Sequence, residues 1–183
     1  MKNYKISLAG DIGSGKSTVG QILSNNFNLE KVSIGVMLRN MAIEYGMDVN
    51  EFNAYMESHS EIDGILDNKL KEFELKDGNY LFDSRMAWHF VPSSFSVYIK
   101  VSPEIAAKRI MKANRSSELY KSIDEAVESI KARRKSEVLR YTKLYSVDVT
   151  DLSNYDLVVD SDDKTPEEIA KIISLEFEKW LNK

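Results

Sequence analysis

The sequence predicts an α/β protein with a parallel β-sheet. Short runs of β-branched and aromatic residues alternate with longer stretches of helical periodicity, which is typical of parallel sheets covered by helices. A loop of the form Gly-x4-Gly-Lys-Ser, residues 10–17, joins the first of these runs to the first helical stretch. Two later helices also begin with a hydroxyl residue followed by proline.

The predicted elements follow in order along the chain. Residues 4–9 are expected to form the first strand and residues 16–27 the first helix. The buried face of that helix is predicted to carry Val19, Ile22, Leu23 and Phe27. Further strands are expected at residues 31–34, 79–83, 95–101 and 155–160.

Two helices have clear start signals. Ser102-Pro103 and Thr165-Pro166 each place a capping hydroxyl before a proline at the first helical position. The helix that follows Thr165 is expected to cover the sheet with one apolar face. This face consists of Ile169, Ile172, Ile173, Phe177, Trp180 and Leu181.

The length and composition indicate one domain, residues 1–183, with two inserts. The chain is 43% apolar and 30% charged, which is ordinary for a globular domain of this size. A helical insert is expected at about residues 38–73, and a polar segment near residues 114–124 is expected within a second insert, at about 110–140. The first insert is expected to be an acceptor-binding region, and the second is expected to be a lid region.

Several classes of protein are disfavoured. The net charge of −4 argues against a broad nucleic-acid-binding face, and the lack of cysteine excludes disulfides and thiolate metal sites. No stretch has the pattern of a signal peptide or a membrane span. The expectation is a cytoplasmic protein with no nucleic-acid or membrane partner, either a monomer or a homodimer.

The loop at residues 10–17 has the pattern and the context of a phosphate-binding P-loop. Lys16 is expected to reach the β- and γ-phosphates and Ser17 to bind Mg²⁺. The alternative is a glycine-rich turn without a ligand. Since the guanine-reading motif Asn-Lys-x-Asp is missing from the sequence, ATP is favoured over GTP. The expected ATP-binding residues of the loop are Gly10, Asp11, Ile12, Gly13, Ser14, Gly15, Lys16, Ser17 and Thr18.

Polar residues follow the second and third predicted strands. Arg39 lies one turn into the helix after the second strand, and Asp83 ends the third strand with Arg85 two residues later. In parallel α/β sheets, ligands bind at the carboxyl ends of the strands, where these residues are expected to lie. Asp83 is therefore a candidate for Mg²⁺ or its waters, and both arginines for an anionic acceptor. The alternatives are a surface arginine at 39 and a helix cap at Asp83-Ser84.

These motifs resemble those of nucleoside monophosphate kinases. Residues 33–39 are similar to the Ser-x-Gly-Asp-Met-Leu-Arg of adenylate-kinase-type proteins, and residues 83–85 resemble the Asp-Gly-Arg of cytidylate kinases. Residues 61–63, Arg140-Tyr141 with Tyr145, and residues 151–158 support the resemblance. The similarity extends over essentially the whole chain and is nearest to the short, archaeal-type cytidylate kinases.

The resemblance implies a P-loop NTPase fold, a three-layer α/β/α sandwich whose five-stranded parallel sheet has the order 2-3-1-4-5. It also implies transfer of the γ-phosphoryl group of ATP to CMP or dCMP, with Mg²⁺. The family has aspartate where this chain has Val36, so Asp83 and Asp11 would take over the organisation of the metal's water shell. Trp88 and His89 replace a small, glycine-containing stretch and would reshape the base pocket.

A long charged helix carries the expected lid residues. Arg133, Glu137 and Arg140 share one helix face, which could equally be a solvated face with salt bridges. The resemblance implies that both arginines bind phosphates and that Glu137 recognises the acceptor. It also implies that Arg109 and Arg115 flank the lid, with Arg109 on the ATP side. Lys112, Arg134 and Lys135 are interpreted as solvated charges, and His59 and His89 as non-metal residues.

The combined hypothesis is an ATP-dependent kinase. Lys16, Asp83, Arg133 and Arg140 are its expected catalytic residues, and the expected metal ligands are Ser17 and Asp83. The expected acceptor-binding residues are Ser33, Arg39, Arg85, Glu137 and Arg140. Two alternatives stay open: a kinase for another nucleotide or small molecule, and a nucleotide-sensing module with little turnover.

Overall fold

A five-stranded sheet runs through the protein. The computed structural model describes residues 3–47, 49–59, 61–113 and 120–182, without the side chains of residues 49, 50, 53, 54 and 57. The strands are β1 (Lys5–Gly10), β2 (Glu30–Ser33), β3 (Tyr80–Asp83), β4 (Phe95–Lys100) and β5 (Leu157–Asp160). Their order is β2-β3-β1-β4-β5. The predicted fold class and strand order are thereby confirmed.

Helices connect the strands. Each predicted strand is found within two residues of its expected bounds, and the first helix has the predicted bounds. The stretch 38–73, for which the sequence predicts helices, contains most of three of them. The helices are α1 (Lys16–Phe27), α2 (Ile34–Glu44), α3 (Val49–Ser58), α4 (Glu61–Leu75), α5 (Ala87–Phe90), α6 (Pro103–Lys112), α7 (Ile123–Tyr145) and α8 (Pro166–Leu181), with a 3₁₀ turn at Leu152–Asn154.

The first of two compact units comprises Met1–Ala9 and Gly20–Ser96. In this unit β3 pairs in parallel with both β1 and β2, so that Asp83 is in register with Leu8 and with Ser33. Helices α2 to α4 share an apolar core of their own, because their buried faces meet one another. This core consists of Ala42, Phe52, Met56, Ile62 and Leu66.

The second unit comprises Gly10–Val19 and Val97–Lys183. Strands β4 and β5 pair in parallel here, with Val97 opposite Leu157 and Lys100 opposite Asp160. Helices α6 and α7 pack closely because alanines at their interface allow a short approach. The shared core contains Ile12, Val101, Ala106, Ala107, Ile110, Ala126, Val127 and Ile130.

Both predicted helix starts are confirmed. The Ser102 hydroxyl accepts a hydrogen bond from the Ile105 N–H, and Pro103 is the first residue of α6. Thr165 and Glu168 form a reciprocal capping box at the start of α8. Each cap satisfies helix N–H groups that would otherwise lack a partner.

Helix α7, at 23 residues, is long enough to cross a bilayer, but it carries charged residues along its length. No helix in the described part of the chain has both the length and the apolar character of a membrane span.

Removing the α8 cap should destabilise the protein. Thr165→Ala deletes the hydroxyl that accepts from the Glu168 N–H, which should lower the free energy of unfolding by about 1 kcal/mol. The measurement is the urea midpoint. Lys171→Ala, at an exposed position on the same helix, is the control and should change the midpoint little. Equal midpoints for the two variants would refute a stabilising cap.

Candidate active site

The P-loop of the second unit turns sharply at glycines. A Cβ added to Gly10, whose φ is +151°, would lie 2.3 Å from the carbonyl oxygen of Ile99. At Gly13, with φ of +79°, it would lie 3.0 Å from the Cα of Ala106. Since L-residues rarely adopt such φ values, both positions require glycine. The loop backbone therefore passes close to β4 and α6 and leads directly into α1.

Asp11 anchors this loop through both carboxylate oxygens. Oδ1 accepts from the Tyr98 hydroxyl at 2.6 Å, and Oδ2 accepts from the Val101 N–H at 3.1 Å. The Asp11 N–H donates to the carbonyl of Ile99 at 3.0 Å. Asp11 is thus engaged with protein donors, which disfavours the share in magnesium binding that the sequence suggested for it.

Lys16, the first residue of α1, folds back over the loop. Its ammonium donates to the carbonyls of Gly10 at 2.8 Å and Asp11 at 2.9 Å. The first turn of a helix directs its N–H groups outward along the axis, which favours anions there. A positive side chain held at this point adds to that preference.

Ser14 gives an independent indication of an anionic ligand. It is 1% exposed, and its hydroxyl has no hydrogen-bond partner among the described residues. A buried hydroxyl without a partner costs free energy. A phosphate oxygen in the loop would supply the missing acceptor, so the residues present fit a nucleotide phosphate.

Ser17 lies in the exposed first turn of α1, next to Thr18, which is also exposed. Ile12 is instead buried in the core between α6 and α7, so its side chain serves packing. Among the described residues no three metal-binding side chains cluster together. Mg²⁺ commonly takes only one or two protein ligands beside phosphates and water, and a serine hydroxyl at this position fits that pattern.

Arg109 on α6 is fixed against the turn that follows β5. Its guanidinium donates to the Ser161 hydroxyl at 3.1 Å and to the Ser161 carbonyl at 2.6 Å. Asp162 in the same turn accepts a hydrogen bond from the Ser102 N–H at 2.8 Å. That hydrogen bond is the main cause of the lowered pKa of Asp162.

The predicted lid residues all lie on α7, and a helix at this place is confirmed. Ser122 caps it by accepting from the Glu125 N–H at 3.1 Å. Arg133 is exposed, whereas Glu137 and Arg140 are half-buried. The guanidinium of Arg140 lies 5.2 Å from the ring centroid of Tyr141. Arg115 lies outside the described residues.

In the first unit, Ser33 and Arg39 lie on either side of Gly35. A Cβ added to Gly35 would meet Arg39 Nη1 at 3.6 Å and Ser33 Oγ at 3.9 Å. Ser33 is also the N-cap of α2, with its hydroxyl accepting from the Val36 N–H at 3.4 Å. The hydroxyl and the guanidinium are thus close together at the start of this helix.

Asp83 ends β3, half-buried and opposite Ser33 in the neighbouring strand. The alternative that Asp83-Ser84 caps a helix is wrong, because the N-cap of α5 is Met86 and no side chain caps that helix. Ser84 instead accepts from the Met86 N–H within the turn. Arg85 is half-buried in the same turn.

Trp88 and His89 lie on α5. Their rings are 5.6 Å apart in an edge-on arrangement. Burial lowers the pKa of His89, and the charge of Lys71 lowers it further. Both effects favour the uncharged form of His89.

The sequence interpretation of Arg134 as a solvated charge is wrong. Its guanidinium donates to the Val149 carbonyl at 3.2 Å and lies 5.8 Å from the ring centroid of Tyr98. Tyr98 and Ser161, which hold Asp11 and Arg109, were also missed. No motif or spacing signals them, because each contact joins residues at least fifteen positions apart in the sequence.

Comparison with known proteins first defines the class. The family model described as "AAA domain" matches residues 6–133. The structure is similar to shikimate kinase from Bacteroides thetaiotaomicron, with a TM-score of 0.66 and 15% identity over 97% of this chain and 99% of that one. At this identity the likeness shows the fold alone, that of a P-loop kinase.

Two relatives define the family. The chain is 35% identical to the cytidylate kinase of Methanobrevibacter smithii over 92% of its own length and 95% of the relative's. It is 40% identical to an S-adenosylmethionine-dependent nucleotide dehydratase of Lacinutrix mariniflava over 96% of this chain, which spans only 36% of that relative. The chain belongs to the short, cytidylate kinase-like nucleoside monophosphate kinases.

The hydroxyl of Ser14 should matter for ligand binding more than for stability. Ser14→Ala removes a buried group that has no partner, so stability should stay equal or rise. Affinity for ATP should fall roughly 10- to 100-fold, the loss of about one hydrogen bond to a charged group. Isothermal titration calorimetry with ATP and thermal unfolding measure the two effects.

Ser24→Ala is the matched control. Ser24 lies on α1 and, like Ser14, is buried and has a hydroxyl without a partner among the described residues. Its removal should change stability in the same way and leave ATP affinity as it is. Wild-type ATP affinity in the Ser14 variant would show that this hydroxyl does not contact phosphate.

Proposed function

We propose that the protein transfers the γ-phosphoryl group of ATP to CMP or dCMP, giving ADP and CDP or dCDP. The observation that carries this proposal is the similarity to cytidylate kinases, which extends over nearly the full length of both chains. The P-loop with its buried Ser14 hydroxyl supports ATP as the donor.

On the donor side, the loop N–H groups, Ser14 and Lys16 would bind the phosphates. Lys16 lies over the loop, and its ammonium would stabilise the charge that develops on the γ-phosphoryl oxygens. Arg109 is held by the turn after β5, and we assign it to the nucleotide side. Arg133 is exposed, and its positive charge would stabilise the donor phosphates.

We propose Ser17 and Asp83 as the protein ligands of Mg²⁺ or of its waters. A Mg²⁺ ion held there would supply positive charge to the β- and γ-phosphates. Ser17 offers a hydroxyl at the start of α1, and Asp83 a carboxylate at the end of β3. The Asp11 carboxylate is engaged by Tyr98 and Val101 and is not part of this proposal.

On the acceptor side, we propose that Arg39, Arg85 and Arg140 bind the monophosphate and that Ser33 and Glu137 help to orient the nucleotide. The Ser33 hydroxyl accepts from the Val36 N–H and keeps its own proton to donate. Arginine suits this task because its planar group binds two phosphate oxygens at once.

The reaction needs alignment more than proton transfer. An oxygen of the acceptor phosphate attacks the γ-phosphorus in line, and the bond from that phosphorus to the β–γ bridging oxygen breaks to release ADP. The attacking oxygen is already anionic, so no general base is required. Correct placement of the two phosphates then supplies much of the rate, and the exclusion of water limits hydrolysis.

The similarity to the dehydratase of Lacinutrix mariniflava suggests a second class of acceptor. The 40% identity extends over 36% of that relative's length. By its name that protein acts on a nucleotide. We propose as the alternative that this chain phosphorylates another nucleotide, whose phosphorylated form is the substrate of such a dehydration. Trp88 and His89 are the residues that would alter base choice.

An acceptor panel separates these proposals. ADP release from ATP should be stimulated most by CMP or dCMP, and much less by UMP, AMP and GMP, in a coupled assay with Mg²⁺. A clear preference for another monophosphate would replace the acceptor and keep the kinase. Absence of stimulation by all five, with intact ATP binding, would refute phosphoryl transfer to these monophosphates and favour a sensing module.

Arg140 should be required for turnover rather than folding. Arg140→Ala should lower kcat/KM for CMP by about 10²- to 10³-fold, since it removes positive charge from the acceptor phosphate. Arg140→Lys should recover only part of the loss, because lysine cannot bind two oxygens in parallel. Lys143→Ala, exposed on the same helix, is the control. A similar kcat/KM for the Arg140→Ala and Lys143→Ala variants would contradict the assignment.

A further inference from the structure

Arg134 on α7 is tied to the interior of the second unit. It follows the exposed Arg133 directly, yet it is half-buried. Its Nη2 donates to the carbonyl of Val149, a residue that is 1% exposed. Its guanidinium also lies 5.8 Å from the ring centroid of Tyr98, within the range of a cation–π interaction.

Tyr98 connects this arginine to the P-loop. The tyrosine is 3% exposed, its ring packs 5.0 Å from the ring of Tyr155, and its hydroxyl donates to Asp11 at 2.6 Å. The carbonyl of Asp11 in turn accepts from the Lys16 ammonium and from the Ser14 N–H. A continuous series of contacts therefore runs from α7 to Ser14 and Lys16, the two loop residues proposed above to bind phosphate.

We propose that Arg134 is a positioning residue that acts through Tyr98 and Asp11 to hold the P-loop in the shape that binds ATP phosphates. The inference rests on the proposed use of this loop as the ATP site and on no particular acceptor. It also gives adjacent arginines different duties: Arg133 would contact the nucleotide, and Arg134 would orient the loop.

The charge of Arg134 matters because of where it lies. Burial raises the pKa of Tyr98, and the hydrogen bond to Asp11 raises it further, whereas the positive charge of Arg134 opposes the increase. A cation over the ring thus makes the phenol a better hydrogen-bond donor to the carboxylate. Loss of the Arg134 side chain is expected to weaken the hydrogen bond from Tyr98 to Asp11 and to remove a packing contact of the tyrosine ring.

Arg134→Ala should therefore raise the Kd for ATP about tenfold, as expected for the loss of a partly desolvated cation–π contact and a hydrogen bond. Direct titration of ATP measures this without turnover. In the kinase assay the KM for ATP should rise in parallel, while the KM for CMP stays within about twofold. This separation of the two KM values distinguishes positioning of the loop from a general loss of structure.

Two further variants serve as controls. Arg134→Lys keeps a cation near the Tyr98 ring and should restore most of the ATP affinity. Lys135→Ala removes the next charge on the helix, at an exposed position, and should bind ATP like the wild type. Equal ATP affinity in the Arg134→Ala and Lys135→Ala variants would overturn the proposal.

A double-mutant cycle tests the route through Tyr98. Tyr98→Phe keeps the ring and deletes the hydroxyl that binds Asp11, so it should also weaken ATP binding. In the combined variant the losses should be clearly less than additive, because both changes act on the same contact. Fully additive losses would show that Arg134 acts by another route and would overturn the proposal.

Failure of the positioning proposal can be distinguished from failure of the proposed kinase function. If the wild type binds ATP but no acceptor stimulates ADP release, the kinase proposal fails. ATP binding still decides the role of Arg134 in that case. If acceptor-dependent turnover is found and the Arg134→Ala variant keeps wild-type ATP affinity, only the positioning proposal fails.

Discussion

The carboxylate of Asp11 is the contact on which the candidate ATP site depends. Two donors from the β4 region, the Tyr98 hydroxyl and the Val101 N–H, hold its two oxygens. A carboxylate bound on both sides cannot rotate, so the backbone that follows is fixed as well. Lys16 donates to the carbonyl of this residue, which places the ammonium over the loop. Preorganisation of this kind lowers the cost of binding phosphate.

The close approach of the loop to its surroundings is equally constrained. Gly10 leaves no room for a Cβ beside Ile99, and Gly13 passes against Ala106 of α6. Small residues are therefore needed on both sides of the loop. Ile12 of the loop is part of the core shared by α6 and α7, and this packing supports the loop backbone. In this unit the loop that we propose binds phosphate is also part of the packing.

Local chemistry made much of this predictable. The start of α1 at Lys16 follows from the P-loop motif, and the cap at Thr165 follows from a capping pattern. Each of these signals lies within a few adjacent residues. The strand order follows from the family resemblance. The side-chain contacts were not predictable in the same way. Periodicity cannot tell which of two neighbouring arginines folds inward, because the answer lies in Val149 and Tyr98, far along the chain. A buried hydroxyl without a partner, as at Ser14, is likewise invisible in sequence.

The central claim is that phosphate moves from ATP on this loop to a nucleoside monophosphate. The most direct measurement follows the phosphate itself, using ATP labelled at the γ-position, CMP, Mg²⁺ and the purified chain. The account predicts that the label appears in CDP, in an amount equal to the ADP formed. Label released as inorganic phosphate, at a rate that does not depend on CMP or on any other monophosphate, would contradict it.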